Sequence, residues 1–300
     1  MKNKFLITIF IALIFGVIFA PLYLFLRGSK VSPTESKPKI ATTIFPIYDI
    51  AKNIAGDKTD VVLILPAGAS AHTFDPNPLD IAKLEGVNTL FKVGVGLDDW
   101  IEKMADPSIV RVDLSTFVNL LKSTDPHENN TEFDPHYWLS VDNATLIANK
   151  VKNELVKIDL ANEDYYQGNL DIYLTQLEKL KIETEAELKN YKGRGIITFH
   201  SAFNYFVGDY GLKVIATIEP FAGKEPTPLY LKNVLEVIKI NHVKVVFKEP
   251  QLSSDLLSSY INDFGVKILT LDPLGGVDNT NSYIKLMRFN ANAIKEGLSL

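Results

Sequence analysis

The sequence predicts an α/β protein of two lobes, each a mostly parallel sheet flanked by helices, joined by one long rigid helix and preceded by an N-terminal transmembrane helix. Three observations carry this expectation. Short β-branched runs alternate with helical stretches, the runs fall into two groups of four, and one long helical segment separates the groups. At 300 residues the length suits two domains of about 100 to 150 residues each.

The first element is apolar. From Phe5 to Leu26 the segment FLITIFIALIFGVIFAPLYLFL carries no charge, and as a helix rising about 1.5 Å per residue it spans a bilayer's hydrocarbon core. Lys2 and Lys4 precede it and favour an exported remainder, while Arg27 and Lys30 oppose that asymmetry. A cleaved signal peptide is the alternative, leaving a secreted or periplasmic protein. The run exceeds the usual apolar length of such a peptide, and Pro21 suits a cleavage site poorly. The expectation is therefore a membrane anchor over residues 1–30 and a polar tether over 31–38, holding the remainder outside the cytoplasm.

The first lobe, residues 39–160, contains the strand candidates KIATTI (39–44), DVVLIL (60–65), TLFKV (89–93) and IVRVDL (109–114). A linking helix over 161–192 follows, because Tyr166, Leu170, Leu174, Leu177 and Leu180 recur at spacings of three and four. Asn162 with Glu163 and Asp164 suits its start and Gly193 its stop. The second lobe, 193–300, contains GIITF (195–199), KVIATI (213–218), VKVVFK (243–248) and VKILTL (266–271). Asp142 reads as the cap of the helix in SVDNATLIANKVKNEL, and no internal repeat is evident at the level of residues.

Composition narrows the chemistry. A net charge of −5 without a long basic run supplies no surface for phosphates, which excludes nucleic acid as an expected partner. Cysteine is absent, so disulfides, thiolate catalysis and sulfur-ligated metal sites are excluded. Any metal must sit on His, Asp or Glu, and the histidines are five: His72, His127, His136, His200 and His242.

His72 in PAGASAHTFDPNP, His200 in GIITFHSAF and Asp272 in KILTLDPLGG all follow strand candidates, where open parallel sheets bind ligands. His136 sits in FDPHYWLS, a stiff setting that suits either packing or a ring held for coordination. Taken singly, each histidine is more often a hydrogen-bonded structural residue than a ligand. His127 belongs to the acidic stretch STDPHENNTEFD, a solvated loop or a weak metal collector, and His242 to a helix end or loop surface. Glu249 could orient a ligand or merely face a cleft, while Trp100 and Trp138 read as packing residues, Trp138 also as a shield.

In the order PAGASAHTFDPNP, FDPHYWLS, FHSAFNYF, VVFKEPQ and LDPLGG, with a long helix between the second and third, these motifs resemble the solute-binding proteins of zinc and manganese ABC transporters. The resemblance covers residues 40 to 300. It implies a monomeric two-lobed protein that is not an enzyme, holding one divalent cation, Zn2+ or alternatively Mn2+, and delivering it to an ABC transporter permease. Carried over residue by residue, it implies His72 and His136 as ligands from the first lobe and His200 and Asp272 from the second. Three imidazoles and one carboxylate form a tetrahedral set suited to zinc. Manganese-type members often have a glutamate at the third position, so His200 favours zinc. Many members carry a lipid-anchoring cysteine that this chain lacks, and the apolar helix would replace it. A metallohydrolase and a metal-stabilised adhesin are the competing classes; no H-E-x-x-H helix supports the first.

Overall fold

Runs of Val, Ile and Leu become parallel strands when helices cover both faces of a sheet. The computed structural model describes residues 37–123, 132–220, 222–251 and 265–300. Strands β1 (Lys39–Thr42), β2 (Asp60–Leu63), β3 (Thr89–Lys92) and β4 (Val110–Asp113) form one parallel sheet in the order β2-β1-β3-β4. Strands β5 (Gly195–Thr198), β6 (Lys213–Thr217), β7 (Val245–Lys248) and β8 (Lys267–Thr270) form the second in the order β6-β5-β7-β8. Both sheets reverse direction between their two central strands, so each opens a crevice beyond those strands' carboxyl ends. All eight expected strands are present, each slightly shorter than its apolar run.

The helices are α1 (Phe45–Ala55), α2 (Pro78–Ala82), α3 (Val141–Ile158), α4 (Glu163–Leu188), α5 (Asn204–Asp209), α6 (Pro228–Ile240) and α7 (Tyr283–Leu298). With 26 residues, α4 is about 39 Å long. It buries Tyr166, Leu170, Tyr173, Leu177, Leu180 and Leu188 against α1 and α3 on one side and α7 on the other. The main apolar core therefore runs from Ile40 to Leu298 through this helix, while two smaller clusters cover the remaining sheet faces. Residues Pro38–Leu300 form one compact unit.

Two expected helix ends differ. Ser140, in extended backbone, caps α3 by accepting the Asn143 N–H. Asp142 is already helical and pairs instead with Lys181 of α4 at 2.6 Å. Asn162 precedes α4 but donates its amide to Asp159 rather than capping, and a 3-10 turn at Lys189–Tyr191 ends the helix before Gly193.

An internal repeat that the sequence hid emerges from topology. β2 and β6 occupy the same place in their sheets, and each leads to an acidic-Pro-polar-Pro-Leu turn: Asp75-Pro76-Asn77-Pro78-Leu79 and Glu225-Pro226-Thr227-Pro228-Leu229. In each, the polar residue caps the helix, proline opens it, and the leucine stands out in solvent, 79% and 68% exposed. A five-residue match is too short to notice until equivalent strands align it.

The anchor over 1–30, most of the tether and the part of the acidic loop that holds His127, residues 124–131, lie outside the described residues. Among the described residues no helix is long and apolar enough to cross a membrane. His242 ends α6 in the left-handed region, φ 49°, and is exposed, the helix-end role its position suggested.

Candidate metal centre

His200 and Glu249 emerge from β5 and β7, adjacent strands at the reversal of the second sheet. The sheet order alone brings them together: His200 Nδ1 lies 2.7 Å from Glu249 Oε1, which also accepts the His200 backbone N–H at 3.2 Å. The sequence left Glu249 undecided between orienting and facing the cleft. It orients.

His136 is held from the other side. The buried rings of Tyr137 and Trp138 pin the short turn that follows it, Tyr137 through a hydroxyl bond to Val93 O at 2.8 Å. Trp138 Nε1 donates to Pro273 O at 2.7 Å, across to the second sheet's side of the cleft. Asp134 Oδ1 accepts both the His136 backbone N–H at 2.9 Å and its Nδ1–H at 2.8 Å. Asp134 is in turn gripped by Asn204 Nδ2 on Oδ2 and by the Tyr205 hydroxyl on its carbonyl. The FHSAFNYF stretch thus supplies His200 and also fixes the orienter of His136.

His72 enters on the loop after β2, where Trp100 Nε1 donates to the neighbouring Ala71 carbonyl at 3.2 Å. His72 is half-buried as a residue, whereas His136 and His200 are buried. The three ring centroids form a near-equilateral triangle with sides of 5.1, 5.2 and 5.3 Å. His136 Nε2 lies 3.2 Å from the Nε2 atoms of both His72 and His200.

The protons decide what this triangle can do. His136 and His200 each turn Nδ1 to a carboxylate, which leaves Nε2 as the atom facing into the triangle. The Nε2 atoms of His136 and His200 meet at 3.2 Å, within reach of one shared proton or one cation. A cation at the centre would draw all three rings onto one point. Burial, then the neighbouring His200 and His136, hold the His72 pKa well below 6.5, so its ring is neutral at pH 7.

Among the described residues, the cluster of possible ligand atoms within 4.8 Å of one another consists of His72, His136 and His200. The structure does not bring Asp272 into it. Asp272 is buried beside the cavity, but Oδ1 accepts N–H bonds from Leu274, Gly275 and Gln251, and Oδ2 accepts the Thr280 hydroxyl at 3.2 Å. The turn imposed by Pro273 and the glycine pair wraps backbone donors around the carboxylate.

Sequence reasoning missed Asp134, Gln251 and Glu219. The D-x-H spacing was a usable signal for Asp134, since two residues of turn return a carboxylate to the following ring. Glu219 is buried beyond β6, accepts the Gly223 N–H at 2.9 Å, and has its pKa raised chiefly by burial.

Residues 40–297 match the family model of the periplasmic zinc-uptake complex component A, ZnuA. The high-affinity zinc uptake system protein ZnuA of Bacillus subtilis is 29% identical, the match covering 91% of each chain. The manganese ABC transporter substrate-binding lipoprotein PsaA of Streptococcus pneumoniae is 27% identical over 98% of this chain and 97% of its own. The solved structure of FpvC from Pseudomonas aeruginosa, a solute-binding protein in complex with Mn2+, superposes with a TM-score of 0.79 at 30% identity, covering 88% of this chain and 99% of that one.

Proposed function

This chain belongs to the family of the periplasmic zinc-uptake component, and from that premise we propose that it captures a divalent cation outside the cytoplasm and delivers it to the permease of an ABC importer. The cation is zinc in the first instance, with His72, His136 and His200 as its ligands. The observation that carries the reading is the convergence of ligand atoms of His72, His136 and His200 within 4.8 Å of one another, with Nδ1 of His136 and of His200 held by carboxylates. Three neutral imidazoles are borderline donors, which suit zinc better than the harder manganese. Manganese remains the alternative, since buried oxygen groups of Glu249, Gln251 and Asp272 surround the rings.

The protein is a carrier and not an enzyme. Its ligands come from both sides of α4, His72 and His136 before it and His200 after it, so a small separation of the two sheets dismantles the site. Asp272 contributes negative charge next to the cation rather than competing with the rings for it. The apolar run Phe5–Leu26 fastens the carrier to the membrane near its permease, in the role that a lipid anchor plays in the lipoprotein relatives.

The test is a zinc titration of metal-stripped protein against a competing chelator. One equivalent bound with sub-micromolar affinity, weakened at least tenfold in His136→Ala, is the expected result. A wild-type protein that binds no zinc, or a His136→Ala protein that binds it equally well, overturns the reading.

A further inference from the structure

Three buried carboxylates around the cavity repeat one arrangement. Asp134 Oδ1 takes the Nδ1–H of His136 at 2.8 Å, Glu249 Oε1 that of His200 at 2.7 Å, and Asp272 Oδ1 the Nε2–H of Gln251 at 2.9 Å. In each pair the carboxylate grips one end of a side chain that lines the cavity. The other end carries a possible ligand atom in each case: Nε2 of His136, Nε2 of His200 and the carbonyl Oε1 of Gln251. The first two belong to the histidine triangle. The third is a buried oxygen that has no hydrogen-bond partner among the described residues.

The amide cannot be turned the other way, because the Asp272 oxygen it meets already accepts the backbone N–H groups of Leu274 and Gly275. A carbonyl oxygen there would face an acceptor. Oε1 is therefore fixed as the orphan, and a buried acceptor without a donor is costly unless a ligand completes it.

We propose that the Gln251 carbonyl is the oxygen that completes the shell of the bound cation, and that Asp272 acts on the ion through Gln251. This rests on the cation-carrier reading above. A carboxylate pulling on the amide N–H polarises the carbonyl and makes its oxygen a stronger donor to the metal, as an orienting carboxylate does for a ligating imidazole. The contact set is then three imidazole nitrogens and one neutral oxygen. Negative charge stands one layer back, on Asp134, Glu249 and Asp272. An oxygen is the harder ligand, so its removal should weaken manganese more than zinc.

The experiment compares zinc and manganese affinities of the full chain with those of Gln251→Leu, Gln251→Glu and Asp272→Asn, by chelator competition. Gln251→Leu is expected to lose about tenfold in zinc affinity and more in manganese affinity. Gln251→Glu keeps an oxygen toward the ion but sets its other oxygen against Asp272 Oδ1, so recovery of zinc binding relative to Gln251→Leu is expected when it is combined with Asp272→Asn. Adding Asp272→Asn to Gln251→Leu is expected to cost little more than Gln251→Leu alone, since the two residues act in series. Unchanged affinities in Gln251→Leu, a protein with both Gln251→Glu and Asp272→Asn no better than Gln251→Leu, or a full additional loss on adding Asp272→Asn to Gln251→Leu each overturn the proposal. Wild-type zinc binding, measured alongside, separates this outcome from failure of the carrier reading.

Discussion

Replacing Asp134 by Asn tests how the site makes a ligand out of His136. Asp134 Oδ1 accepts two N–H bonds from His136, and Oδ2 accepts one from Asn204. The substitution removes the charge that polarises the imidazole, and it sets an amide NH2 either against the ring N–H or against the Asn204 amide. Loss of such an orienting partner costs about 10- to 100-fold in metal affinity, roughly 1.4 to 2.7 kcal/mol. The assay is calorimetric zinc binding at a temperature where circular dichroism shows both proteins folded. Asn204→Ala, which removes the amide's bonds to Asp134 Oδ2 and the Ser201 carbonyl but leaves the carboxylate on His136, serves as the control and should change affinity by less than about threefold. An Asp134→Asn protein that binds zinc within twofold of wild type would refute the claim that the carboxylate sets the ring's tautomer and donor strength.

Further expectations follow from the same geometry. Asp98 is buried, accepts the Val93 and Gly94 amides, and has its pKa raised to about 6, first by burial. The folded state then takes up a proton before the unfolded chain does, so this contribution to stability is present at low pH and is lost as pH rises through about 6. Wild type minus Asp98→Asn in unfolding free energy should be about 2 kcal/mol larger at pH 4.5 than at pH 7.5 by urea denaturation; a constant difference would contradict the buried charge. Gly276 has φ +86°, and an added Cβ would stand 3.0 Å from the Phe45 ring across the two sheets' contact. Gly276→Ala should therefore lower stability by about 1 to 3 kcal/mol, read from the urea midpoint, and an unchanged midpoint would count against that close approach. Zinc at 100 times its dissociation constant should stabilise the protein by about 2.7 kcal/mol, seen as a raised melting temperature that chelator reverses.

The strands were legible because their apolar runs are continuous, the mark of a sheet covered on both faces. Both sheets, and the arrival of His200 at a carboxyl edge, follow from those runs and their spacing. The orientation of Asp272 was not legible. Its distance from the histidines in sequence says nothing about the Pro273–Gly275 turn, which folds the Leu274 and Gly275 amides onto Asp272 Oδ1. The cap of α3 went to Ser140 because capping needs extended backbone before the first helical turn, a boundary that composition leaves uncertain by two residues. Gln251 escaped notice because it does not titrate. Its significance lies in a hydrogen bond that its amide makes and another that its carbonyl does not.

X-ray absorption at the zinc edge of the stoichiometrically loaded protein tests the central claim most directly, since it counts the rings on the ion without reference to mutants. The account predicts three imidazole nitrogens at about 2.0 to 2.1 Å with one further light ligand. A shell of oxygens with one imidazole or none would contradict it.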